Sequence, residues 1–349
     1  MRSSYKEEDV ILLLKDITGL VKPQSTEERE RMIQSGRHYC EMLPVEYAPS
    51  EKYMEAYHTA LKGYAGQTAK AVGKLADKII SARGKTIVLV SLARAGIPAG
   101  ILLKRYLNWK YQINPVHYAI SIIRGMGIDK NAVSYILQRH KPEDILFVDG
   151  WIGKGAIQNE LEQAVKEFQG ISKDLAVLAD PAGITKFYGT HEDLLIPSAC
   201  LNSTISGLIS RTFFRRDIIG ENDFHGAVYY ENLQKADLSY PFIYAIEAEF
   251  KKENKEIEKI FHDKGMDEVK QIAQNYDIQD INFIKPGIGE TTRVLLRRVP
   301  WKVLIGEEFK HDAALEHIKR LAEEKGVEIE YYPLKHYKSC GIIKKIADT

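Results

Sequence analysis

The chain has 349 residues, 44% of them apolar and 28% charged, which excludes wholesale disorder or a collagen-like repeat and leaves room for two domains. Its 49 Lys and Arg against 48 Asp and Glu give a net charge of +1, so no whole-molecule field holds nucleic acid or an anionic membrane without specificity. Cys40, Cys200 and Cys340 lie far apart with no paired spacing, which argues against disulfides and a zinc site; with an acidic amino terminus and only the short uncharged run Val10–Leu14, this predicts a cytoplasmic protein with no membrane partner.

In chain order, an apolar element at Val10–Ile17 precedes a long helical stretch, with apolar residues three or four apart from Tyr53 to Ile80, that ends at Arg83-Gly84-Lys85. Strand-like runs follow at Thr86–Ser91, Val116–Ile123, Ile145–Val148 and Leu175–Ala179, with helical segments at Ala99–Leu107 and Ala156–Phe168. That alternation predicts an α/β fold with a mostly parallel sheet flanked by helices, and ligands at the carboxyl ends of its strands. Gly183–Tyr240 is turn-rich and reads as a covering segment; Phe242–Gln274 reads as a charged, solvated helix. After the break Asn275–Asp280 a small second α/β unit is expected: strand Ile281–Ile284, helix Thr291–Arg298, strand Trp301–Ile305, helix His311–Lys325, strand Val327–Tyr331 and helix Gly341–Ile346. The domain reading is therefore 1–275 and 281–349.

The chemistry concentrates after the third strand, where Phe147-Val-Asp149-Gly-Trp-Ile-Gly153-Lys154-Gly155-Ala156-Ile157 places an acid at the strand end and a Gly-Lys-Gly turn at a helix start. Glycines let backbone amides close around a phosphate, the helix amino terminus adds unpaired donors, and Lys154 adds charge. The stretch resembles the phosphoribosyl-diphosphate loop of type I phosphoribosyltransferases. Ser91-Leu-Ala93-Arg94-Ala95-Gly96 stands where that family binds pyrophosphate, and Ile123-Arg124-Gly-Met-Gly where it carries a closing loop.

The resemblance implies a type I phosphoribosyltransferase-like fold and a pentosyl transfer. Asp149 would hold ribose, Gly153–Ile157 the 5-phosphate, and Ala93–Gly96 with Arg94 the pyrophosphate, while Arg124 closes from the lid and Mg²⁺ is carried mainly by the diphosphate. Asp149-Gly150 departs from the family's usual pair of acids.

Over most of the first 240 residues the chain resembles one branch in particular, the phosphoribosyltransferase-like family of tellurium-resistance and stress gene clusters, which also carries the cysteine-protease label StiP. The carrying stretches include Gln34-Ser-Gly-Arg37-His38-Tyr-Cys40, His117–Arg124 and Leu201-Asn202-Ser-Thr-Ile-Ser-Gly-Leu-Ile-Ser-Arg211-Thr. Arg37, His38, Asn202 and Arg211 are candidates for the acceptor side.

Residues 281–347 resemble the Pelota-like RNA-binding fold. Gly287, Glu290 and Arg293 stand at its Gly-x-x-Glu and following cation, although 13 Lys and Arg against 10 Asp and Glu from Asn282 onward is a weak footprint for RNA. The expectation is thus a phosphoribosyltransferase-type enzyme that takes phosphoribosyl diphosphate or a related nucleotide, with RNA as a partner and a homodimer in keeping with such enzymes. Two alternatives stand beside it. One is a nucleotide-sensing RNA-binding regulator without turnover. The other is a cysteine protease using Cys40, close to His38, or Cys200, with His191 upstream.

Overall fold

Along each central strand of the larger unit alternate residues enter opposite cores, as the strand's two-residue period requires. Val88, Val90, Phe147, Leu175 and Val177 face one core; Leu89, Leu146, Val148, Ala176 and Leu178 face the other. A strand buried on both faces reads as a continuous apolar run, and both faces here are covered by helices. The computed structural model describes residues 1–253 and 265–345. Within them the main sheet has six strands in the order Ile11–Leu12, Val116–Ile120, Val88–Leu92, Ile145–Trp151, Leu175–Ala179 and Phe187–Thr190, every neighbouring pair parallel.

On one face pack the helices Glu51–Arg83, Gly96–Tyr111 and Ser239–Glu247; on the other, Lys130–Leu137 and Ala156–Ala164. The long helix starts where the Ser50 hydroxyl accepts from the Tyr53 amide at 3.3 Å and stops at Gly84, whose φ is +72°. Gly96 is small for a packing reason: a Cβ there would lie 2.5 Å from the Val148 carbonyl oxygen, so its helix could not approach the strand Ile145–Trp151.

The second unit has a four-stranded sheet in the order Ile284–Pro286, Ser339–Ile343, Pro300–Gly306 and Glu328–Tyr332, with only the last pair parallel. The expected helix at Gly341–Ile346 is instead the strand Ser339–Ile343, whose five residues are all buried between two neighbours. The helix Gly265–Asn275 also belongs to this unit, because Val269 and Ile272 pack with Ile284, Leu304 and Ile342. Part of the expected helix Phe242–Gln274 lies outside the described residues; within them the stretch holds Ser239–Glu247 and Gly265–Asn275. No described helix is long and apolar enough to cross a membrane.

The two units share packing. Ile288, Leu295, Val303 and Ile318 of the second belong to the same apolar cluster as Leu146 and Val72 of the first. Polar contacts add to this: Asp193 accepts from the Ile288 amide at 3.0 Å and the Lys338 amide at 2.8 Å, and Tyr337 donates to the Gly153 carbonyl at 2.8 Å.

Candidate functional site

A cleft of about 610 Å³ opens between the units, where the strand Ile145–Trp151 ends. Asp149 and Gly153–Ile157 line it from the first unit, with Arg124 and Arg211; Glu290 and Arg293 line it from the second. The cleft thus lies at the carboxyl end of a central strand, and the helix after the turn begins at Ala156 with Gly155 at φ +88°. Lys285, Arg297 and Arg298 add cations from the second unit, and Arg29 from the helix Thr26–Gln34.

The charges perturb one another. Burial pushes Asp149 up to about 6 although Arg293 pulls the other way, and Gly150 donates its amide to Asp149 Oδ1 at 2.7 Å. Burial, reinforced by Lys285 and Arg124, brings Lys154 down to about 7, and burial brings Lys285 down to about 8. Burial alone would raise Glu290, but the Arg293 and Lys285 charges prevail and hold it below its ordinary value. Burial, then the neighbouring Arg29, lowers Arg211 to about 9.

Several predicted site residues have other work. The Lys154 ammonium donates to the backbone carbonyls of Ile281 and Ile284, so it joins the two units instead of standing free for a phosphate. Arg94 is sealed in an ion pair with Glu46 at 3.0 Å and donates to the Ile209 carbonyl at 2.7 Å. Ala93 donates to the Ile120 carbonyl at 2.8 Å; Ala95 with Arg94 borders a minor cavity beside Asn202. Asn202 Oδ1 accepts from Arg297 Nε at 2.6 Å, and Arg211 donates to the carbonyls of Tyr39 and Met42, the latter at 2.8 Å. Arg37 pairs with Glu41 at 3.4 Å on the surface.

Gly287, at φ +92°, turns the chain into its helix; Glu290 is paired with Arg293 at 2.7 Å, and that guanidinium stacks over Trp151 at 4.4 Å. Glu290 and Arg293 therefore face the first unit across the cleft, while Gly287 lies against Asp193. No described cluster of three His, Cys, Asp or Glu forms a metal cradle, and Asp149 and Glu290 stand among Arg and Lys, a donor set that does not fit a divalent cation.

Behind Tyr39, the turn Tyr39–Glu41 carries a second constellation. His38 Nδ1 lies 2.9 Å from Cys40 Sγ, and His38 Nε2 lies 3.0 Å from the Arg124 carbonyl oxygen. A carbonyl only accepts, so Nε2 donates to it, which leaves Nδ1 to face the thiol. The Cys40 amide, which only donates, approaches the same Nδ1 at 3.4 Å. The half-buried imidazole is reachable while the thiol is sealed, and burial first, then Glu41, pushes the thiol up to about 11. Cys200 and Cys340 are pushed up to about 12 by burial. His191 does not reach Cys200's turn: it bonds the Asp180 carbonyl at 2.8 Å and stacks on Tyr188.

Sequence reading missed Arg29, Glu30, Glu46, Asp193 and Lys285 as site components. Arg29 and Glu30 sit in Thr-Glu-Glu-Arg-Glu-Arg, a charge-rich stretch that looks like a solvated face, yet they are its most buried residues.

Comparison with known proteins bears directly on function. Residues 3–247 match the family model described as tellurite-like stress resistance cysteine protease StiP, and residues 263–345 match the PELOTA RNA binding domain. A protein of Acinetobacter baylyi named cysteine protease StiP is 37% identical over 98% of this chain and 94% of its own length. A hypoxanthine-guanine phosphoribosyltransferase from Bacillus anthracis is similar at 20% identity over 33% of this chain and 68% of its own, with a TM-score of 0.25, too low to carry an argument.

The expectation of phosphoribosyl transfer, with its nucleotide-sensing alternative, is therefore corrected: family and relative alike bear a cysteine-protease name. The geometry agrees, since the cations meant for pyrophosphate and 5-phosphate, Arg94 and Lys154, are spent on Glu46 and on backbone carbonyls. The tellurium-resistance and Pelota-like parts of the resemblance stand. With the family model covering well over half of its length and a relative aligned almost end to end, the chain belongs to the StiP family.

Proposed function

We propose that this protein is a thiol-dependent peptidase in which Cys40 is the nucleophile and His38 its base. The observation that carries the reading is the 2.9 Å contact between His38 Nδ1 and Cys40 Sγ, with the far side of the ring held by the Arg124 carbonyl. It is the arrangement nucleophilic catalysis needs: nucleophile, base, and a group that orients the base. The family name and the Acinetobacter baylyi relative support the same class.

In the reaction His38 Nδ1 takes the Cys40 proton as sulfur bonds to the substrate carbonyl carbon. The C–N bond then breaks, and the leaving amine takes that proton. Water cleaves the resulting thioester and restores the thiol. A thiol near 11 leaves on the order of one molecule in ten thousand ionised at pH 7, and the fully buried sulfur has no path to substrate. On this reading the 39–42 turn has to lift before the sulfur can meet a substrate.

The test is hydrolysis of a fluorogenic casein by the full chain. Cys40→Ala and His38→Gln should each lower turnover at least ~100-fold, while Cys200→Ala and Cys340→Ala keep it. Undiminished hydrolysis by a folded Cys40→Ala protein would sink the proposal.

A further inference from the structure

Arg29 is a charged side chain only 2% exposed, and its Nε and Nη1 atoms have no hydrogen-bond partner among the described residues. The Nε of Arg211 is in the same position. Both residues line the cleft between the units. Buried guanidinium donors are ordinarily paired, because leaving them unmet forfeits their hydration for nothing. The nearby carboxylates are already committed: Glu30 takes Arg298 at 2.6 and 2.8 Å and Gln34 at 2.8 Å, and Glu46 takes Arg94 and the Ser203 hydroxyl, each at 3.0 Å.

We propose that Arg29 and Arg211 form the floor of a binding site for a small phosphate-bearing molecule, a site that uses neither Cys40 nor His38, although Arg211 also holds the Tyr39 and Met42 carbonyls of the thiol's turn. Three unmet N–H positions on two separate guanidiniums call for an anion with several oxygens pointing different ways. A tetrahedral phosphate supplies that, whereas one planar carboxylate serves a single fork. Arg298 stands beside the pair, and the cleft has volume for more than the phosphate itself.

The experiment titrates inorganic phosphate and tripolyphosphate into the full chain at constant ionic strength, read by calorimetry and by melting temperature. Wild type should bind both saturably, tripolyphosphate more tightly, and melt higher than in matched chloride. Arg29→Met should weaken binding about tenfold or more and cancel the rise. The ligand-free variant should melt no lower than wild type, because an unmet buried charge has gone. Arg320→Met, a half-buried arginine paired with Glu316 and outside the cleft lining, should keep the full response.

Should Arg29→Met fail to fold, ³¹P line broadening of phosphate by wild type alone decides, and no saturable effect below about 10 mM overturns the site. An equal response in Arg29→Met overturns it too, as does binding of succinate or of a short single-stranded RNA without any response to phosphate.

Discussion

Arg94 and Glu46 lie 3.0 Å apart with their side chains only 6% and 2% exposed, a closed ion pair beneath the cleft. Burial alone would raise Glu46, but the charges of Arg94 and Arg297 hold it below the usual carboxylate range. One carboxylate thus answers the buried Arg94 directly and the half-buried Arg297 through its charge alone. Glu46→Gln should therefore cost about 3–5 kcal/mol in chemical denaturation, because the buried Arg94 loses its counter-charge. A loss below 1 kcal/mol, in order of magnitude, would show that the pair is better hydrated than it looks.

Asp149 carries the opposite sign of effect. Its folded value of about 6 lies above the ordinary value near 3.9, so the folded state holds its proton longer. Stability is then lost as pH rises from about 4 to about 6, and the penalty is complete above that window. Asp149→Asn, which keeps an oxygen for the Gly150 amide, should gain about 1–3 kcal/mol at pH 7.5 and nothing below pH 4. Melting curves at both pH values decide.

Lys154 makes a complementary case. It falls to about 7 in the fold against about 10.4 in an unfolded chain, so the unfolded state binds the extra proton between those values and wild-type stability climbs with pH across that window. Lys154→Met lacks this climb and also leaves the Ile281 and Ile284 carbonyls unpaired. The deficit of the variant should grow by about 2–4 kcal/mol from pH 6.5 to 9.5 in urea titrations. A deficit independent of pH would mean that Lys154 titrates normally.

Asp193 comes from the first unit yet caps a helix of the second, accepting from Ile288 at the helix start. Because it also holds the Lys338 amide, Asp193→Ala should cost about 2–4 kcal/mol and speed hydrogen exchange at Ile288 and Lys338 first. Unchanged exchange at those two amides would remove Asp193 from the docking contacts.

Much of this architecture was readable in the chain because its central strands are buried on both sides. Val88–Leu92, Ile145–Trp151 and Leu175–Ala179 announce themselves as apolar runs, and the cleft-lining turn follows from the end of the second of these. The edge strands Ile11–Leu12 and Phe187–Thr190 are short and partly exposed, which leaves too little pattern to recognise. Gly341–Ile346 reads as helical because a brief apolar segment has no period of its own to distinguish strand from helix, and its start belongs to the strand Ser339–Ile343.

The site was harder. Its loops were in place, but what each cation does depends on partners far away in sequence: Glu30 meets Arg298 across 268 residues, Asp193 meets Ile288 across 95, and Arg94 meets Glu46 across 48. Local composition carries no trace of such pairings. His38 and Cys40 were legible as neighbours, but the Arg124 carbonyl that sets the imidazole's proton comes from a different strand end.

The apolar cluster that runs from Val72 and Leu146 into Leu295 and Ile318 makes the two halves of the chain thermodynamic dependants. Severed from one another, each would bare an oily flank to water, so separately expressed fragments should aggregate or stay molten, while the intact polypeptide melts in a single transition.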